Sequence, residues 1–183
     1  MRVLGITAGM HSCGLSLIED GKIIFAFEEE RFVRVRTYKD FYEKWNRYPL
    51  ESLHNALDKY PEYMKDIDYI TGFLPKDDWA EPMMQAVGLR NVTQAPYIET
   101  SHHEGHCNLA YYLSGFEEDT LVVSMDASGN NHSAKYYLGS NGNLAYIGGL
   151  TLDLKSLGHY YIMLTEFLGF KRLKDEGKVV GMA

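Results

Sequence analysis

Three of the seven histidines fall within the run Ser101-His102-His103-Glu104-Gly105-His106, at the head of an apolar segment long enough for a helix. If that segment is helical, His102 and His106 stand at i and i+4, and both imidazoles project from one face. Such a pair can grip one divalent metal ion. Neutral imidazole suits iron, zinc or nickel better than the hard ions that prefer carboxylate oxygen. Two histidines rarely complete a site, and a third ligand, a carboxylate, gives a facial arrangement with open positions. Asp126, at the end of a predicted buried strand, is the best candidate for it. The other reading of the histidines stays open: they cap the helix or hydrogen-bond in a polar crevice. His103 is expected to point away from the other two, toward substrate or solvent.

Two small-residue turns follow predicted strands, Ala8-Gly9-Met10-His11-Ser12-Cys13-Gly14 and Asp126-Ala127-Ser128-Gly129-Asn130. Glycine permits close backbone approach and successive amides form an anion-binding concavity, so either loop can cradle phosphate oxygens or be an ordinary hairpin. Gly9, Ser12, Ser128, Gly129 and Asn130 are the candidate phosphate contacts. Near the end of the chain, Lys174-Asp175-Glu176-Gly177-Lys178 is either surface or a means of bringing Lys178 to phosphates by way of flexible Gly177. The run Glu28-Glu29-Glu30-Arg31, with Arg34 and Arg36, reads most simply as a solvated helix start. Its alternative is a basic grip on a phosphorylated ligand, or ion pairs that pin the opening lobe.

The elements that position these residues alternate. Residues 2–8 and 13–18 are short apolar runs, Asp20-Gly21 marks a hairpin turn, and Lys22 to Phe27 completes a three-stranded antiparallel meander. Helical patterns follow between Lys39 and Asp66 (Phe41 and Trp45; Leu50, Leu53 and Leu57), with Pro49 and Pro61 as helix starts. Asp68–Phe73 is a candidate strand, Asp77–Val87 a helix, and Ala95–Thr100 an extended approach to the histidines. Residues 120–125 form the next strand, Asp126 to Asn131 a turn, and Ser133–Leu138 and Leu144–Leu150 flank a turn at Ser140-Asn141-Gly142-Asn143. A final helix spans about Leu157–Leu168. The alternation indicates α/β architecture, and the second meander repeats the pattern of the first.

A chain of 183 residues with 45% hydrophobic content is ample for a packed core. Its formal charge of −7 argues against a basic stripe, so no nucleic-acid partner is expected. Cys13 and Cys107 make no disulfide framework, no signal-peptide layout opens the chain, and no apolar run approaches the roughly 20 residues that cross a bilayer. A cytoplasmic protein without a membrane partner is the expectation. The fourteen tyrosines are read as core and interface material.

Seven motifs in register give the chain a family resemblance. Leu4-Gly5-Ile6 with a His-bearing small-residue turn, the Asp20-Gly21 hairpin, Glu28–Arg31, His102–His106, Asp126–Gly129, Ser156-Leu157-Gly158-His159-Tyr160-Tyr161 and Gly177–Ala183 together resemble the N-terminal part of the NodU/CmcH-type O-carbamoyltransferases. The resemblance implies an actin-like ATPase (ribonuclease H-like) fold, similar to the ATPase subunit that makes threonylcarbamoyladenosine in tRNA. It implies one complete lobe over 1–118 and the start of a second over 119–183, without the family's C-terminal YrdC-type domain.

In the family, that C-terminal domain makes a carbamoyl-adenylate from carbamoyl phosphate and ATP. The actin-like domain then transfers the carbamoyl group to a hydroxyl of a small acceptor. Carried over position by position, His102, His106 and Asp126 are metal ligands, with a further Asp expected beyond residue 183. Fe2+ is the first choice of ion, with Zn2+ or Mg2+ as alternatives. His11 matches the histidine of the opening turn and is expected to act as an acid/base or orienting residue on the acceptor side.

Three departures bear on the site. Many relatives have His-Asp-x-Ser where this chain has His11-Ser12-Cys13-Gly14; Ala127 stands where Gly is usual; and Asn130 stands where an acid is usual. By this reading the isolated chain is inactive and requires the missing domains in cis or in trans, with a homodimer possible. Two further readings are a tRNA-modifying actin-like ATPase subunit and a non-catalytic split-gene product that binds the partner carrying the missing lobe.

Overall fold

A computed structural model describes residues 1–8, 13–34, 48–152 and 156–183. The chain divides into two compact units, Met1–Thr100 and Ser101–Ala183, so the histidine segment belongs to the same unit as Asp126.

The first unit is built on a mixed five-stranded sheet. Strands β1 (Arg2–Ala8), β2 (Cys13–Glu19) and β3 (Lys22–Glu28) form the expected antiparallel meander. The hairpin between β2 and β3 turns on Asp20 and Gly21 at φ 48° and 79°, the left-handed pair that a two-residue turn needs. β4 (Tyr69–Gly72) then pairs parallel to β1, and β5 (Tyr97–Glu99) parallel to β4, giving the order β3-β2-β1-β4-β5. Alternate residues Leu4, Ile6 and Ala8 of β1, with Leu15 and Leu17 of β2 and Ile70 of β4, are buried in a core shared with Leu53, Ala56, Met83, Met84 and Leu89. These last come from helices α2 (Leu50–Lys59), α3 (Glu81–Ala86) and α4 (Leu89–Val92); α1 is the short Glu29–Val33 turn, and a π-helical turn, Lys76–Ala80, precedes α3.

The charged run after β3 is not simply solvated. Glu29 is buried, and its carboxylate accepts hydrogen bonds from the backbone N–H of Glu51 (2.9 Å) and Ser52 (2.8 Å) and from the Ser52 hydroxyl (2.7 Å). Helix α2 starts after Pro49, which offers no capping side chain, so a remote carboxylate satisfies its first amides. Arg34 ends α1 in the left-handed region, and Arg36, Phe41 and Trp45 lie outside the described residues.

A part-buried ion pair ties α3 to α4. Arg90 donates to Glu81 through Nε (2.9 Å) and Nη2, and through Nη1 to the Ala95 carbonyl (2.7 Å). The hydrogen bond from Arg90 holds the Glu81 carboxyl below the usual carboxylate range, against burial that works to raise it. As pH falls, the unfolded chain takes up this proton first. The pair's contribution to stability is therefore present above about pH 4.3 and lost as pH drops through the depressed folded-state value. Arg90→Met is expected to weaken the fold at neutral pH and to flatten its acid limb below about pH 5. Urea midpoints across that range check this, and parallel acid limbs for the two proteins would refute it.

The second unit carries another antiparallel meander: β6 (Thr120–Gly129), β7 (His132–Ser140) and β8 (Asn143–Thr151). Helix α5 (His102–Ser114) packs on it around Cys107, Tyr111, Val122 and Tyr137, with Leu144 at the margin; α6 (Leu157–Phe167) and α7 (Glu176–Val180) follow. The expected turn over Asp126 to Asn131 is corrected. The strand runs on to Gly129, and only Asn130 and Asn131 turn, at φ 47° and 60°. Asparagine tolerates the left-handed region, so two residues suffice. The ladder is nonetheless irregular between Met125, opposite Ala134, and Gly129, opposite His132, which frees residues 126–128 from regular pairing. The other hairpin turns on Asn141 and Gly142, as expected. Among the described residues, no helix is long and apolar enough to cross a membrane.

Candidate metal centre

Helix α5 begins where its first amides find acceptors. Ser101 Oγ accepts from the Glu104 N–H (3.3 Å), Asn130 Oδ1 accepts from the His102 N–H (2.8 Å), and Gly115 ends the helix at φ 72°. The imidazoles are therefore not the caps. One turn apart, the rings of His102 and His106 stand with centroids 4.6 Å apart and planes at 81°.

The carboxylate of Asp126 completes the cluster. Its Oδ2 lies 2.8 Å from His102 Nε2 and 3.7 Å from His106 Nε2, while the two Nε2 atoms are 3.1 Å apart. Its Oδ1 accepts from the Ala127 N–H (2.6 Å), which leaves Oδ2 for the histidines. Burial alone would raise the Asp126 carboxyl; the His102 hydrogen bond, the Ala127 N–H and the two histidines outweigh it and hold the group ionised below its usual range.

This donor set fits a divalent ion. Two ligands of one ion at about 2.1 Å lie about 3.0 Å apart in octahedral and about 3.4 Å apart in tetrahedral geometry, and the three separations bracket those values. Protons serve the cluster poorly. His102 Nε2 carries either a proton or a lone pair, yet it faces both an anionic oxygen and a second imidazole nitrogen at hydrogen-bond range. A proton there serves Asp126, a lone pair serves an Nε2–H on His106, and when His106 carries its proton on Nε2 the one nitrogen does not serve both. A cation among the three atoms satisfies all of them.

The elements behind the cluster are closely fitted. A Cβ on Gly129 would lie 2.3 Å from His102 Cδ2, so only glycine lets the imidazole rest on β6. Gly129→Ala is expected to displace the ring and to weaken cobalt(II) binding by about tenfold, the scale of losing an orienting partner. Titration followed by absorbance checks this, and an affinity within twofold of the parent would overturn it.

His103 corrects another expectation. It points neither to substrate nor to solvent but is fully buried, with Nδ1 2.8 Å from Ser124 Oγ and Nε2 3.0 Å from the His132 carbonyl. Burial pushes its pKa down, against the opposing pull of that carbonyl. The neutral ring with its proton on Nε2 donates to His132 and accepts from Ser124, so it rivets α5 to β6 and β7.

Ser128 is exposed on the irregular stretch of β6, Asn130 holds the start of α5, and Lys178 pairs with Asp175 at 2.9 Å. Gly9, His11 and Ser12 lie outside the described residues. Ser124 and Ser156 join the surroundings of the cluster, Ser124 against His103 and Ser156 against the Ala127 carbonyl. The position of Ser156 before an apolar helical segment was a readable capping signal, whereas nothing local marked Ser124.

A mixed sheet ordered β3-β2-β1-β4-β5, followed by a second meander, is the actin-like ATPase fold. YeaZ from Pseudomonas aeruginosa superposes with a TM-score of 0.52 at 16% identity, over 81% of this chain and 67% of that one. The ROK hexokinase from Thermus thermophilus superposes with a TM-score of 0.52 at 13% identity, over 94% and 65%. At such identities the likeness establishes the fold alone.

The family is narrower. The profile described as "Carbamoyltransferase N-terminus" matches residues 2–100 and 73–183, and the chain belongs to that carbamoyltransferase family. An uncharacterised protein of Methanocaldococcus jannaschii is 32% identical over 183 residues, covering 99% of this chain and 33% of that protein. The nodulation protein NolNO of Sinorhizobium fredii is 25% identical over 197 residues, covering 95% and 28%. The chain thus spans about a third of the length of these relatives.

Proposed function

We propose that this chain is the N-terminal part of an O-carbamoyltransferase that moves a carbamoyl group from carbamoyl-adenylate, made from carbamoyl phosphate and ATP, to a hydroxyl of a small acceptor. The observation that carries the metal-assisted form of this reading is the convergence of His102, His106 and Asp126, whose ligand atoms all lie within 4.8 Å of one another. A divalent ion held by these three, Fe2+ first and Zn2+ or Mg2+ as alternatives, supplies positive charge that polarises a carbamoyl oxygen or neutralises phosphate.

The chain's own residues supply the rest. A hydroxyl is a poor nucleophile at neutral pH, and His11 is the residue proposed to take its proton or to orient it. As the acceptor oxygen bonds to the carbamoyl carbon, the bond to the phosphate oxygen breaks and AMP departs. Backbone amides of Gly9, Ser128, Gly129 and Asn130, with Ser12 and Lys178, are the proposed phosphate contacts. The protein so described acts in the cytoplasm, requires the family's C-terminal domains in cis or in trans, and is compatible with a homodimer.

The test is transfer itself. The longest natural polypeptide carrying this chain, given ATP, carbamoyl phosphate and a panel of sugars, nucleosides and other hydroxyl compounds, is expected to yield a carbamate detectable by mass spectrometry. Full transfer by a His102→Ala, His106→Ala protein that has lost its metal would overturn the metal-assisted reading.

A further inference from the structure

We infer that Ser156 is a positioning residue for the metal-binding carboxylate, setting the backbone from which Asp126 reaches the histidines. The inference rests on the reading of His102, His106 and Asp126 as a metal centre.

Residues 126–128 lie in the one stretch of β6 where the pairing with β7 is interrupted, so the ladder does not hold the Asp126 backbone in place. Ser156 does. It is buried, and its Oγ stands 2.9 Å from the Ala127 carbonyl and 3.2 Å from the Asp126 carbonyl. The same oxygen accepts from the His159 N–H (3.1 Å) at the start of α6. One hydroxyl thus caps a helix with its lone pair and fastens the irregular strand with its proton.

A second contact shows how closely the two elements meet. A Cβ on Gly158 would lie 2.6 Å from both Cα and N of Ala127, so the first turn of α6 rests directly on the peptide that follows Asp126. That peptide's N–H is the group that Asp126 Oδ1 accepts from. Fixing it fixes the carboxylate's rotation and leaves Oδ2 turned to the two Nε2 atoms. Helix α5 supplies the nitrogen ligands, and the cap of α6 aims the oxygen ligand.

A helix cap needs only an acceptor, which separates this role from an ordinary one. Ser156→Asp keeps a capping acceptor but has no hydroxyl proton for the two carbonyls; Ser156→Thr keeps both; Ser156→Ala keeps neither. In the 183-residue chain, with far-UV circular dichroism to confirm folding, cobalt(II) affinity is expected to fall about tenfold in both the Ala and the Asp variants, with a changed visible spectrum. The Thr variant is expected to stay within about twofold of the parent and to keep its spectrum. Parent-like affinity and spectrum in the Asp variant, or loss confined to a variant that has unfolded, would overturn the inference while leaving the metal centre standing. Failure of the unsubstituted chain to bind cobalt(II) would overturn both.

Discussion

A chain carrying His102→Ala and His106→Ala together is expected to bind cobalt(II) more than a hundredfold more weakly than the unsubstituted chain, beyond the range of about 10 to 100 that an orienting partner commands. Of the three converging ligands only Asp126 would remain, as a single part-exposed carboxylate. The fold should scarcely register the change. The side chains of His102 and His106 are 22% and 55% exposed, and the start of α5 is held by Ser101 and Asn130 rather than by either imidazole. That division separates the metal reading from its rival. Histidines that served as caps would cost helix stability when removed and leave ion binding unchanged. Equilibrium titration with cobalt(II), set beside thermal unfolding of the same samples, distinguishes the two. Affinity within twofold of the parent would overturn the metal centre.

The parts of this site that could be read from sequence are those fixed by local rules. Histidines four apart share a helix face whatever lies beneath them, and Ser101 announces the helix they stand on. Asp20-Gly21 and Asn141-Gly142 are two-residue turns because their left-handed conformations suit those residues. What escaped depends on partners far along the chain. His103 shares the inward row of α5 with Cys107 and Tyr111, one and two turns on, and the spacing alone pointed it at the sheet. Its polarity argued for the outside, because Ser124 and the His132 carbonyl, which make burial tolerable, are more than twenty residues away. Glu29 was hidden in the same manner, as one of three adjacent acids whose partner helix begins after Pro49.

The turn expected over Asp126 to Asn131 escaped for a different reason. The residue types were those of a small, polar turn, but they serve a strand that continues through them and needs slack for one carboxylate to turn toward a helix. The His102 ring also rests against Gly129, a contact that the small-residue pattern does not name.

Replacing His103 with Leu is expected to lower the unfolding free energy by about 2–4 kcal/mol, although the two side chains are close in size. The loss follows from what Leu leaves behind. The Ser124 hydroxyl and the His132 carbonyl would lie beside a group that can neither donate nor accept, and each buried polar group left unpaired costs about 1–3 kcal/mol. Because His103 is completely buried beneath α5, water cannot readily replace it. His103→Gln offers both a donor and an acceptor and should recover part of the loss, whereas His106→Leu, at a half-exposed position, should change stability by less than about 0.5 kcal/mol. Urea unfolding of the three variants gives the ordering. A His103→Leu protein as stable as its parent would mean that the imidazole does not join α5 to β6 and β7. If the join is real, cobalt(II) binding should weaken in the same variant even though His102, His106 and Asp126 are all intact, because the helix that carries two of the ligands would no longer be fastened to the strand that carries the third.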